Sequence, residues 1–181
     1  MTTYPDWVAG DAITAALLNG GQAHMIVKAA NQDVTDSTTF VDDTELVVPL
    51  EANASYHLIW CLAIGAVDNG GGSEPHINTE YTWPDGATGF KFAQGPAYPG
   101  TATSDRENTT MVSAVHNPGT DRRYGTISLT SAAAVIEHHH ITTSSTAGDA
   151  TLRFALGNNP AGAGDTCRIL AGSFVVWNRT A

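Results

Sequence analysis

Apolar residues recur at every second position along most of this chain. The longest such run, SYHLIWCLAIGAV from Ser55, sets Tyr56, Leu58, Trp60, Leu62 and Ile64 on one side of an extended strand and His57, Ile59, Cys61 and Ala63 on the other. Similar runs follow in HMIVKAA, ELVVPL, INTEYTW, GFKFA, TMVSAV, YGTISLT, AAVIEHHHIT, ATLRFAL and CRILAGSFVVW. Between them DNGGGSEP, WPDGATG, NPGTDRR, SSTAGD and NNPAGAGD supply the Gly, Pro, Asn and Asp that chain reversals need. Short strands with no helix between them predict an all-β fold, an antiparallel β-sandwich of jelly-roll type over residues 23–181.

Residues 1–22 break the pattern. In PDWVAGDAITAALLNGG the residues Ile13, Leu17 and Leu18 share one side of a short helical turn, with Asp11 or Thr14 as its cap and Asn19-Gly20-Gly21 as its stop. A helix of about nine residues is marginal in water without tertiary contacts. It must pack with Trp7 against something, either another protein or one end of its own sandwich, and we read it as a helical anchor segment.

Two strands predict more cover than one sandwich provides. The second face of the Ser55 run is mostly uncharged, and in the last run Ile169, Ala171, Val175 and Trp177 oppose Leu170, Phe174 and Val176. A two-layer sandwich buries only the inner faces of its sheets, so Ile59, Cys61, Ile169 and Val175 are expected at a subunit interface. Closed cyclic assemblies are the usual outcome, and a trimer is expected here.

Composition narrows the function. The chain has 181 residues, enough for one core, and only 14% are charged. A net charge of -10 and a pI near 4.8 argue against nucleic acid or anionic lipid as partners. The start MTTYPDW has no basic leader, and the apolar run of residues 58–66 is half the length of a bilayer span, so a soluble product made in the cytoplasm is expected. Cys61 and Cys167 lie far apart in apolar runs and are expected as free buried thiols rather than a disulfide.

Candidate chemistry is sparse. In EHHHI the residues His138 and His140 point to one face of a strand while Glu137 and His139 point to the other. A metal on His138 and His140 is the less favoured reading, and polar side chains on a wet face or subunit seam the preferred one; no cofactor is expected. At a seam, protonation near pH 6 would charge them together and weaken assembly. The acidic stretch DVTDSTTFVDDTE lacks calcium-loop order and reads as a solvated loop. No nucleophile elbow, phosphate loop or dinucleotide fingerprint is present, so the expectation is a protein that is not an enzyme. Trp83 and Tyr98 near turns offer a flat platform for a sugar ring, a second reading in which the chain binds a cell-surface glycan.

The phrases YPDWVAGDAITAALLN, IVKAANQDVTDSTTFVDDTELVVPLEANASYHLIWCLAI, YTWPDGATG, AGDATLRFAL and ILAGSFVVWNR together resemble small virion structural proteins, minor tail or head-decoration proteins, of tailed phages that infect actinobacteria. The resemblance runs over most of the chain and is weakest over residues 91–122; the EHHH run is not part of it. It implies a trimeric β-sandwich located on the virion, with phage capsid or tail proteins as partners. Trp7, Gly10, Ile13, Leu17, Leu18 and Asn19 match the family's opening phrase, and the resemblance assigns Trp7, Ile13, Leu17 and Leu18 to docking.

Overall fold

A computed structural model describes residues 22–67, 76–98, 110–112, 114–126, 128–129, 132–157 and 164–180. The expected anchor helix, with Trp7, Ile13, Leu17 and Leu18, falls outside them. Within them the strands are β1 (His24–Val27), β2 (Gln32–Thr35), β3 (Val41–Leu50), β4 (Ser55–Val67), β5 (His76–Thr82), β6 (Thr88–Pro96), β7 (Thr110–Val112), β8 (Arg122–Gly125), β9 (Ala133–Thr142), β10 (Gly148–Leu156), β11 (Thr166–Ile169) and β12 (Phe174–Arg179). Every pairing is antiparallel.

The larger sheet runs β1-β12-β4-β9-β6-β7, with β11 beside β4 and β2 beside β11; the smaller runs β3-β10-β5-β8. Thus β1 pairs with β12 and β2 with β11 in the larger sheet, and from there β3 with β10, β4 with β9 and β5 with β8 fall in alternate sheets. This is one long hairpin rolled over on itself. The β6–β7 hairpin is inserted between β5 and β8 and joins the free side of β9, widening the larger sheet.

The core lies between the sheets. Tyr56, Leu58, Trp60, Leu62 and Ile64 of β4 meet Leu46 and Val48 of β3, Ile77 and Tyr81 of β5 and Leu152 and Phe154 of β10. Trp60 is completely buried, and a buried aromatic of that size contributes on the order of 2–3 kcal/mol through removal of apolar surface from water.

One predicted strand is two. The run CRILAGSFVVW breaks at Leu170–Ser173 into β11 and β12, which lie end to end along β4. Gly172 sits at φ +87°, a left-handed value that suits glycine, and its amide donates to the Lys28 carbonyl. Pairing with β4 corrects the facing of two expected interface residues: Ile169 lies beside Ile64 and Val175 beside Trp60, on the inner side of the sheet. Ile169 and Val175 have no exposed surface and point into the core of their own chain, so they are not available to a partner.

Candidate interaction face

The two sides of the larger sheet carry opposite chemistry. On the inner side, β9 directs Glu137 and His139 into the core, both fully buried, and β6 adds fully buried Lys91. The Glu137 carboxylate accepts a hydrogen bond from Thr79 Oγ1 of β5 at 2.7 Å and one from Lys91 Nζ at 3.3 Å, with His139 Nε2 at 3.5 Å. Lys91 also sits over the Tyr81 ring, 5.0 Å from its centroid. The network ties the two sheets together through charge and packing.

Burial alone would raise the Glu137 carboxyl; Lys91, His139 and Thr79 outweigh it and hold it down at about 2. Burial likewise pushes His139 down to about 4, against the pull of Glu137, so its imidazole is neutral at pH 7. The Tyr81 and Tyr124 phenols are raised well above their ordinary range by burial and by the same carboxylate. A second buried pair, Lys28–Asp43 at 2.9 Å, fastens the turn after β1 to β3. Asp43 is therefore a core residue rather than part of a solvated loop. Its acidic neighbours are satisfied separately: Asp33 by Arg168, Asp42 by Arg153, and Glu45 by Lys28 and the Ala29 and Ala30 amides.

The outer side is different. Cross-strand register aligns Met25, Val176, Ile59, His138 and Phe92 in one row across five strands. A second row holds Val27, Phe174, Cys61, Ile136 and Gln94, and a third Asn178, His57, His140 and Phe90. None of these positions is Asp, Glu, Lys or Arg, in a chain with eight basic and eighteen acidic residues. Met25 is 61% exposed, Val27 51%, Phe90 42% and Ile136 37%, so the face is open among the described residues. Ile59 and Cys61, expected at an interface, are half-buried in its middle. Both cysteines are free thiols; Cys167 is buried, and burial raises each thiol above its ordinary value, Cys167 to about 12.

His138 and His140 do share this face. The His138 ring stacks on Phe92 at 4.7 Å and on His57 at 5.8 Å, and His140 stacks on Phe90 at 5.4 Å. Burial and the His57 ring lower His138 below the ordinary histidine value. Among the described residues no three His, Cys, Asp or Glu side chains are grouped to hold a metal. Sequence reasoning placed the EHHH alternation correctly and missed that its Glu137–His139 side is the core, because Lys91 and Thr79, which satisfy the carboxylate, come from other strands.

The expected platform is not assembled. Tyr98 stacks on His76 at the start of β5, at 4.0 Å, with Arg123 above it, while Trp83 follows the end of the same strand and packs on Tyr81 and His139. A strand of that length separates them by about 20 Å. Among the described residues no helix is long and apolar enough to cross a membrane.

No protein-family model and no curated protein matches the chain. Among solved structures it is similar to the infectious bursal disease virus Gx strain structure, with 15% identity over 86% of this chain and 38% of that one, at a TM-score of 0.17. It is also similar to the VP2 subviral particle of infectious bursal disease virus, with 10% identity over 86% of this chain and 39% of that one, at a TM-score of 0.22. The chain therefore spans about two-fifths of those proteins' length, and so loose a superposition leaves function to be argued from this chain's own geometry.

Proposed function

We propose that this chain is a non-enzymatic virion structural protein, a jelly-roll sandwich that assembles as a trimer on the particle and docks through residues 1–22. The observation that carries the reading is the uncharged outer face of β1, β12, β4, β9 and β6, which the described residues do not cover. An apolar sheet face that wide marks a protein contact. The phrase order that resembles tailed-phage minor tail and head-decoration proteins supports the virion as its setting, and the rolled hairpin supports a jelly-roll winding.

A threefold arrangement suits the dimensions of the face. Five strands place the outer strand axes about 19 Å apart, and three such walls each stand about 5.5 Å from a common axis, close to half the ~10 Å spacing of packed sheets. Middle strand β4 would then present His57, Ile59 and Cys61 to the axis. Trp7, Ile13, Leu17 and Leu18 form the anchor; three weak anchors on one trimer bind with avidity.

A chain beginning at Gln22 is expected to fold and self-associate as the full chain does, yet to be missing from purified particles. Full occupancy of that truncated chain in particles, measured by quantitative mass spectrometry, would sink the docking role.

A further inference from the structure

We infer that the outer face of β1, β12, β4, β9 and β6 is where a second copy of this chain sits, and that the His57, His138 and His140 cluster makes this contact separate in acid. The inference rests on the assembly reading above but not on the virion setting.

Charge selects the occupant. At a net charge of -10, two copies repel through most orientations, and the three rows of the outer face are where they can meet without apposing carboxylates. A basic partner would instead find no acidic residue there to recognise. Area agrees: the fourteen positions of the three rows, each about 4.8 by 6.8 Å of sheet, cover roughly 450 Å², so a pair of copies buries on the order of 900 Å², near the lower bound for a specific contact. The stacked, nearly coplanar rings of Phe92 and His138, inclined by 7°, and of Phe90 and His140, inclined by 12°, give that surface a flat aromatic centre.

The histidines are poorly placed to remain charged under a second copy. His57 faces Asn178 of β12 and His140 of β9; His138 faces Ile59 of β4 and Phe92 of β6; His140 faces Phe90 of β6. No carboxylate shares the face on these five strands; on the same side of the sheet beyond β4, Asp33 of β2 is held by Arg168 of β11. The nearest one on β9, Glu137, points to the opposite side and is engaged by Lys91 and Thr79. The other titratable group on the face, the Cys61 thiol, is neutral. Protonated imidazoles would therefore sit desolvated, beside one another and unpaired, so lowering the pH favours separated copies.

The test is sedimentation of the full-length protein. At pH 7.5 and micromolar concentration it is expected to run as an oligomer, and Ile136→Glu, at an exposed position, to weaken self-association on the order of 100-fold or more while keeping the native circular dichroism spectrum. From pH 7.5 to 5 association of the parent is expected to fall at least about tenfold. The triple variant His57→Gln/His138→Gln/His140→Gln should stay assembled at pH 5; it retains buried His139, so its persistence separates face chemistry from acid unfolding. A monomeric parent at pH 7.5, or an oligomer indifferent to Ile136→Glu, overturns the face; a parent and triple variant with the same pH response overturn the histidine mechanism. Because no particle is involved, failure here leaves the docking test of residues 1–22 untouched.

Discussion

At the scale of single residues, Glu137 and His139 carry the strongest physical constraints. A carboxylate without exposed surface is tolerable only with its partners in place, so Glu137→Gln leaves the Lys91 ammonium buried and unpaired. We expect that change to cost about 3–5 kcal/mol in urea denaturation, and Glu137→Gln/Lys91→Met together to cost less than Glu137→Gln alone. His139 sets an acid limit. The unfolded chain takes a proton there near 6.5 and the native chain only near 4, so the unfolded state binds more protons between those values and stability is lost as pH falls through them. Urea midpoints from pH 7 to pH 4 should decline accordingly, with a shallower decline in His139→Gln. An unchanged slope would place the acid sensitivity elsewhere.

At the scale of elements, the β6–β7 insertion decides how wide the outer face is, and one glycine decides whether β6 can join β9. Gly89 lies at φ +152°, and a Cβ there would run into the His140 carbonyl on β9. Gly89→Ala is expected to cost about 1–3 kcal/mol in thermal unfolding, whereas Gly119→Ala, whose Cβ would meet open space, should cost nothing measurable. The strands themselves were legible as alternation: β4 buries and exposes the sets its sequence predicts, and so does β5 through Ile77 and Tyr81. The division of the last run into β11 and β12 was not, because nothing local in LAGS distinguishes a turn from a strand; it forms where Lys28 and Ala63, remote in sequence, hydrogen-bond to Leu170, Gly172 and Ser173.

At the scale of the whole molecule, the two sulfhydryls report on assembly. Cys61 is half-buried on the outer face and Cys167 is in the core. In the dissociated Ile136→Glu protein a thiol reagent should modify one cysteine per chain, and in the assembled parent none until it unfolds. Rapid modification of Cys61 in the assembled parent would contradict cover on that face.

By itself the sequence determined that this chain is antiparallel β-structure, which residues share a strand face, and that β4 has two uncharged sides; these follow from a period of two and need only neighbours in the chain. Only the tertiary structure decided which face became core. The Glu137–His139 side of EHHH turns inward because Lys91 and Thr79 arrive from other strands to satisfy it, and Ile169 and Val175, which share one face as the alternation predicts, turn inward because they pair with Ile64 and Trp60 on the core side of β4. Pairing partners distant in the chain fix both outcomes, and periodicity carries no record of them.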